Sequence, residues 1–217
     1  MLCKEVIAIA ISDSYSTVAE YKAAIGRAES WATDAARDAT ILLNLTGISR
    51  YIERKLGRCF NKDAASVARL YMRDQLKDPT LLWVDDLAAT PTSIIIDSGN
   101  DGAFGETALV AADYELWPLN AAYGPEARPW DRIKATPWGA KVEWPHSVRV
   151  QVTAQWGWPA VPQAIKDATI QLAALLRLET PRATRQIPEM GNAIESSREA
   201  QDIIKSLLAA YGKMTLL

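Results

Sequence analysis

The chain has 217 residues, of which 49% are apolar and 23% are charged, and its formal net charge is −2. This composition supports a sizeable hydrophobic core and excludes global disorder. A protein that binds nucleic acid over its whole surface is usually basic, so the near-neutral charge restricts any such contact to a local patch. Cys3 and Cys59 are the only cysteines. They give no disulfide framework and favour a reducing compartment.

The first residues of the chain form a short apolar run at positions 6–11 (VIAIAI). It is too short to span a bilayer, and it predicts either a strand or an arm that packs on another subunit. We assign residues 1–16 to this N-terminal arm or strand. Thr17 and Glu20 then fit a capping box that begins a first helix, and Gly26 is placed to end it.

A second helix is predicted from Ser30 to Leu56, with Gly57 as its stop. Its apolar stripe contains many small residues, which permit close approach of another helix. The stripe consists of Ala35, Ala39, Leu42, Leu45 or Thr46, Ser49, Ile52 and Leu56. Residues 17–62 are therefore assigned to the N-terminal helices of a bundle.

Between residues 63 and 155 the periodicity changes to alternation, which predicts several short strands in a small antiparallel sheet or barrel. The alternating runs are residues 67–72, 81–84, 93–96 and 148–153. The chain has eight tryptophans and two phenylalanines, and most of the tryptophans lie in this region. Tryptophan suits a thin core or an interface, where the ring is covered and its N–H finds a partner. Of these two roles, filling a thin core is favoured.

Residues 97–102 (DSGNDG) resemble the start of a calcium-binding loop, with oxygen ligands at alternate positions. The twelfth position, where such a loop places a bidentate acid, is Ala108, so the coordination shell would be incomplete. A hairpin turn explains the same residues, because Gly and Asn adopt the positive φ angles that such turns need. The turn is the favoured interpretation, and no metal site is predicted.

The last predicted strand ends in a corner that returns the chain to a helical region, residues 156–217. Gly157 relaxes the backbone there, and Pro162 suits the first position of a helix. The apolar face of this helix is predicted to contain Val161, Ile165, Ala168, Leu172 and Leu175. The corner is a candidate hinge between helical bundle and β insertion, made by Trp156, Gly157, Trp158 and Pro162.

Prolines interrupt a flexible connector at residues 179–193. A final amphipathic helix is then predicted from Ile194 to Tyr211, with Gly212 as its stop and Ile203, Leu207 and Ala210 on one face. Ile203, Leu207 and Tyr211 are the candidate residues for docking a partner. The predicted fold class is α+β, a helical bundle of about four helices with an inserted small antiparallel β-subdomain.

The residues needed for a catalytic site are hard to find in this sequence. His146 is the only histidine, and no flanking motif supplies the nucleophile or orienting partner that a general base needs. It is interpreted as a turn residue. Cys3, Cys59 and His146 lack the paired spacing of zinc ligands. The sequence therefore predicts no enzyme activity, no metal and no cofactor.

One local basic cluster surrounds the end of the second helix, and Glu53 is the only acid within it. Because Arg50 and Arg54 are one turn apart, they share a helix face, which Arg58 extends. The cluster can complement the helix dipole, or it can contact phosphates or an acidic protein. The first role is favoured; the second supports an alternative function as a small DNA-binding module. The candidate residues are Arg50, Arg54, Lys55, Arg58 and Lys62.

Three short motifs, in this order, resemble the head-to-tail connector (adaptor) proteins of tailed bacteriophages. They are residues 52–60 (IERKLGRCF) at the end of the long helix, residues 113–118 (DYELWP) in the β insertion, and residues 150–158 (VQVTAQWGW) with Val161, Pro162 and the following helix. The likeness extends over residues 17–212. It leaves out the first sixteen residues, and the family does not require the high tryptophan content.

This resemblance implies a structural virion protein located in the neck between capsid and tail and assembled in the host cytoplasm. Such proteins form a dodecameric ring beneath the portal and extend the channel for double-stranded DNA, which passes without sequence-specific contacts. The implied partners are further copies of the chain, the portal protein and a stopper or tail-completion protein. The resemblance implies no cofactor, reaction or membrane.

Overall fold

The computed structural model describes residues 14–27, 34–74, 77–123, 126–139, 143–179, 195 and 197–212. It divides the chain into two compact units. The helical unit comprises Met1–Phe60 and Val161–Leu217, and the β unit comprises Asn61–Ala160. The described residues form four helices and two small antiparallel sheets. The predicted α+β fold class is therefore confirmed.

Among the described residues, each of the two chain segments of the helical unit contains two helices. Their bounds are α1 Val18–Ala24, α2 Ala35–Leu56, α3 Gln163–Glu179 and α4 Arg198–Tyr211. Apolar side chains that are fully buried hold the unit together, and each contributes roughly 1.5–3 kcal/mol by leaving water. They include Leu45, Ile48, Ile52, Phe60, Ile165 and Leu172.

The start of α1 has the predicted capping box. The Glu20 carboxylate accepts the Thr17 backbone N–H at 2.7 Å, and the Thr17 hydroxyl oxygen accepts the Glu20 N–H at 3.1 Å. The first of these hydrogen bonds holds the pKa of Glu20 below its ordinary value. After the helix, Gly26 adopts a positive φ of 66°, which a glycine accommodates without a steric penalty. The predicted bounds of this helix are confirmed.

Helix α2 ends as predicted but begins later. Gly57 is its left-handed C-cap, with a φ of 65°. The predicted start, Ser30, lies outside the described residues, and the helix begins at Ala35 because the Asp34 carboxylate caps it by accepting the Arg37 N–H. The predicted stripe is right only in its C-terminal half. Ala35 and Ala39 are exposed, whereas the larger side chains of Ile41, Ile48 and Tyr51 are buried.

Helices α3 and α4 differ from prediction at their starts. The carbonyl oxygen of Pro162 accepts the first helical hydrogen bonds, so Pro162 lies immediately before α3 rather than within it. Ile194 and the connector, apart from Glu179, lie outside the described residues. Ser197 caps α4. The buried face of α4 is Ala200, Ile204, Leu207 and Tyr211. Leu207 is buried as predicted, whereas Ile204 and Tyr211 take the places predicted for Ile203 and Ala210.

Tyr15 anchors the segment before α1 to the helical core. Its side chain is buried, its hydroxyl donates to the Glu53 carboxylate at 2.6 Å, and the hydroxyl oxygen accepts the Phe60 N–H at 3.1 Å. The Tyr15 and Phe60 rings meet edge to face. Burial, followed by the charge of Glu53, raises the pKa of Tyr15 far above its ordinary value.

This arrangement predicts alkaline destabilisation of the helical unit. Below about pH 10, Tyr15 is neutral in both folded and unfolded chains, and its contribution to stability is complete. At higher pH the unfolded chain ionises first, because the folded pKa is raised. The free energy of unfolding then falls by up to about 1.4 kcal/mol per pH unit for this tyrosine. Tyr15→Phe is expected to be less stable at pH 8, through the lost hydrogen bonds, but to decline less steeply above pH 10.

Urea unfolding followed by helix circular dichroism between pH 8 and pH 11 measures this effect. Tyr123→Phe is the matched control, because the Tyr123 side chain is 80% exposed. Equal alkaline slopes for wild type and Tyr15→Phe would show that the buried hydroxyl does not couple to folding.

In the described part of the β unit, six strands form two three-stranded sheets, and every pair is antiparallel. The strands are β1 Val67–Met72, β2 Leu81–Leu87, β3 Ser93–Ile96, β4 Tyr114–Trp117, β5 Trp130–Ala135 and β6 Arg149–Ala154. The first sheet has the order β1-β6-β3, and the second has the order β2-β5-β4. The alternating runs in the sequence are therefore strands, as predicted.

The two sheets share one apolar core. Alternate residues of β6 point into it, namely Val150, Val152 and Ala154, which are at most 1% exposed. Trp144 and Trp156 belong to the same core, and Trp158 is equally buried. Trp144 and Trp156 confirm the predicted role in filling a thin core. Trp130 is partly buried and packs against the same core, whereas Trp138 is 73% exposed.

The segment that resembles a calcium loop is a turn built around Asp97. This carboxylate is fully buried and accepts the backbone N–H groups of Asp101 and Gly102, both at 3.0 Å. Arg149 on β6 binds the same carboxylate at 3.1 Å. Asn100 and Gly102 have positive φ angles, as the turn interpretation requires. The predicted turn is therefore present, but it does not close a β-hairpin, because β3 pairs with β6 and the next described strand, β4, lies in the other sheet.

Candidate assembly surfaces

The basic residues at the end of α2 contact partners within the helical unit. Arg50 binds Glu53 at 2.7 Å, and Lys55 binds Glu195 at 2.8 Å. This second contact raises the pKa of Lys55 and lowers that of Glu195. Arg58 donates to the backbone carbonyl of Tyr211 at 3.3 Å. Much of the cluster's positive charge is therefore balanced locally, and Glu195 is a counter-charge that local sequence reasoning missed.

Arg54 and Lys62 are the other two cationic residues of the predicted cluster. Arg54 is exposed, and its guanidinium carbon lies 5.8 Å from the centroid of the Tyr51 ring. Lys62 is exposed too, but it belongs to the β unit. Three of the five candidate residues thus lie in the last turns of α2, and Arg58 follows its C-cap. Phosphate binding by these cationic residues remains a prediction.

Trp156 and Trp158 anchor the corner after β6 inside the β unit. The Trp156 Nε1–H donates to the Val67 carbonyl at 2.8 Å, and the indole packs against Tyr71 with ring centroids 5.5 Å apart. The Trp158 Nε1–H donates to the buried carboxylate of Asp86 at 3.1 Å. Both indoles are therefore oriented by packing and by a hydrogen bond.

Gly157 permits the close backbone approach on which this corner depends. Its φ is 99°, and its N–H donates to the Asp86 carbonyl at 2.8 Å. A Cβ at this position would lie 1.8 Å from the Asn61 carbonyl oxygen. Pro162, the fourth candidate hinge residue, belongs to the helical unit. The hinge itself remains a prediction.

The candidate docking residues of α4 contribute to the helical core. Leu207 and Tyr211 are buried, and Tyr211 meets Phe60 edge to face with ring centroids 5.9 Å apart. Ile203 is half-buried, and Leu208 is 42% exposed. A partner that docks on α4 in this arrangement would therefore contact Ile203 and Leu208 rather than Leu207 and Tyr211.

A second basic and aromatic surface lies on the sheet β2-β5-β4, where sequence reasoning did not place one. Trp83, Arg132 and Trp117 are paired across its three strands. The Arg132 guanidinium carbon lies 5.0 Å from the Trp83 ring centroid, and the Lys134 ammonium lies 4.8 Å from that of Trp117. We name Trp83, Trp117, Arg132 and Lys134 the tryptophan face. Its residues come from three strands, so the face is recognisable only when the strand pairing is known.

The described residues hold no group of three or more His, Cys, Asp or Glu side chains suited to a metal ion. His146 is exposed and lies in a turn, as predicted, with its Nδ1 2.7 Å from the Ser147 hydroxyl oxygen. In the part of the chain that the structure describes, no helix has the length and apolarity needed to cross a membrane.

Comparison with solved structures relates this fold to proteins of phage-like particles. One similar chain comes from the neck of an empty gene transfer agent (GTA) particle computed with C6 symmetry, with a TM-score of 0.59 and 21% identity, covering 100% of this chain and 98% of that one. Another comes from the neck of a native GTA particle computed with C12 symmetry, with a TM-score of 0.54, 20% identity and the same coverage. This chain has their fold.

A third similar chain belongs to the virion of a native GTA particle, with a TM-score of 0.53 and 22% identity, covering 98% of this chain and 96% of that one. No protein-family model matches the chain, and no curated protein matches it. The likeness to the neck structures extends over both units, from the helical segments to the β insertion. It agrees with the resemblance to phage connectors that the sequence motifs indicate.

Proposed function

We propose that this chain is a structural protein of a virion neck. In this role it is a head-to-tail connector subunit, which forms a ring beneath the portal, extends the DNA channel and joins the capsid to stopper or tail-completion proteins. The observation that carries the proposal is the full-length similarity of fold to chains from GTA particle necks. The proposed site of action is the capsid–tail neck of a virion assembled in the host cytoplasm.

The sixfold and twelvefold symmetries of the neck structures support a ring, and twelve copies is the number we propose. A ring is built from head-to-tail contacts between two different patches of each subunit. The tryptophan face has the chemistry of such a patch, because half-buried tryptophan and arginine dominate the binding energy of many protein interfaces. The proposal assigns no reaction, cofactor or metal to the chain.

The mass of complexes formed with the cognate portal tests this function. Native mass spectrometry of the purified chain with portal rings is expected to show one complex that contains twelve copies of the chain. Bovine serum albumin in place of the chain is the negative control. A chain that stays monomeric at high concentration and does not bind the portal would rule out the proposed function.

The alternative DNA-binding module gives a contrasting prediction for Arg54. If the basic end of α2 bound DNA, the logarithm of the binding constant would fall steeply with salt, with a slope of about 0.9 per phosphate contact. We expect weak binding instead, because Arg50, Lys55 and Arg58 already contact partners in the helical unit.

Fluorescence anisotropy with a short duplex, at several salt concentrations, measures this difference. Arg54→Ala and Lys205→Ala are matched, since each removes one exposed cation of the helical unit. Equal and small effects are expected. A steep salt slope that only Arg54→Ala reduces would favour the DNA-binding module.

A further inference from the structure

Strand β1 presents an uncovered apolar face at the edge of its sheet. Among the described strands, β1 pairs with β6 alone. Leu70 is 52% exposed, Met72 is 57% exposed, and Ala68 on the same face is exposed too. The intervening residues point the other way, where the Tyr71 hydroxyl and the Arg69 guanidinium both donate to Asp85. One complete side of this edge strand is therefore apolar and open to a partner.

Edge strands normally carry features that prevent pairing with another chain, such as charges, prolines, bulges or short length. The exposed face of β1 carries no charge, and the one charged residue of the strand, Arg69, points to the other face, where it binds Asp85. All six residues pair with β6 in one continuous register, and none is proline. By contrast, β3 at the opposite edge has four residues and follows Pro91 closely. Within this sheet, β1 is therefore the edge that is better suited to receive a further strand.

The chain itself contains a segment suited to this edge. Residues 6–11 (VIAIAI) are as numerous as the residues of β1, and they include no charge, proline or glycine. Alternation places three isoleucines on one side and Val6, Ala8 and Ala10 on the other, so both sides are apolar. Such a segment is prone to aggregate when its edges stay unpaired, and it gains stability from a strand partner.

Thirteen residues precede Ser14, the first described residue. Val6 lies eight residues before Ser14, so at up to about 3.3 Å per residue the segment can extend roughly 26 Å from that residue. We propose that residues 6–11 of one copy pair with the free edge of β1 on the next copy. The inference rests on the proposed ring. It supplies that ring with a contact between two different patches of each subunit, as head-to-tail assembly requires.

A mixed cross-linking experiment tests this pairing in the portal-bound ring. Both chains carry Cys3→Ser and Cys59→Ser, which removes the native thiols. One chain then carries Ile7→Cys, Ile9→Cys or Ile11→Cys, and the other carries Leu70→Cys. Because the two cysteine positions are on different chains, a short bis-maleimide that joins one to the other links two copies. We expect a cross-linked dimer for at least one position, about tenfold more abundant than with Val110→Cys in place of Leu70→Cys, because Val110 is 62% exposed but lies outside β1.

A second measurement uses charge to block the edge. Leu70→Lys with Met72→Lys is expected to lower the yield of rings on the portal about tenfold, whereas Val110→Lys leaves it unchanged. Rings that form normally without any cross-link between copies would overturn the inference and leave the proposed function intact. A cross-link that forms only within a single chain carrying both cysteines would also overturn the inference. If no ring forms with wild-type chain, the proposed function fails, and this inference fails with it.

Discussion

Gly157→Ala is expected to destabilise the β unit by about 3–5 kcal/mol, enough to unfold a marginally stable unit. Two costs combine at this position. The φ of 99° lies in a region that a residue with a Cβ rarely adopts. The new Cβ would also lie 1.8 Å from the Asn61 carbonyl oxygen and 2.8 Å from its carbon. The obstruction is backbone, so no side-chain rotation relieves it.

The segment that carries Asn61 would therefore have to move, and the bond from the Asp63 N–H to the Trp156 carbonyl would be strained or lost. Gly57→Ala is the matched control. Its φ is 65°, but nothing lies within 4 Å of an added Cβ, so the expected loss is about 1 kcal/mol. Urea unfolding followed by tryptophan fluorescence compares the two variants. Losses of equal size would contradict the close approach at Gly157.

Trp156→Ala is expected to cost about 3–5 kcal/mol, the usual range for removing a large aromatic side chain from a core. The side chain is 1% exposed and donates to the Val67 carbonyl. It also packs beside Tyr71, and the Arg69 guanidinium carbon lies 4.6 Å from its ring centroid. The truncation therefore leaves a cavity, an unpaired carbonyl and a cation without its aromatic partner.

Trp156→Phe separates these contributions, because it keeps most of the ring and removes only the N–H donor. An intermediate loss is expected for this variant. Trp138→Ala is the matched control, since Trp138 is 73% exposed and its removal should change stability by less than about 0.5 kcal/mol. Urea unfolding followed by far-ultraviolet circular dichroism measures all three. Similar small losses for Trp156→Ala and Trp138→Ala would show that the corner does not depend on the buried indole.

Local sequence patterns were sufficient to predict the structural features that neighbouring residues determine. Thr17 and Glu20 cap each other across three residues, and Gly57 ends α2 through its own φ angle. Val150 and Val152 alternate with polar residues because one face of β6 is buried. In each case the residues that determine the structure are neighbours in the sequence, so the pattern is visible without the fold.

Features that depend on distant residues were predicted less well. The buried face of α4 includes Tyr211 because Phe60, far away in the sequence, packs against it. The charge of Lys55 is balanced by Glu195, which local composition does not reveal. The tryptophan face arises only when β2, β4 and β5 align Trp83, Arg132 and Trp117. Tertiary pairing decides these positions, and the sequence pattern alone leaves several pairings open.

Electron microscopy of the chain mixed with its cognate portal tests the central proposal most directly. Negative-stain images show both the symmetry of any ring and its axial position. The proposed function predicts a twelvefold ring at the tail-facing end of the portal, coaxial with its channel. Free monomers beside bare portals, or binding without rotational symmetry, would contradict it.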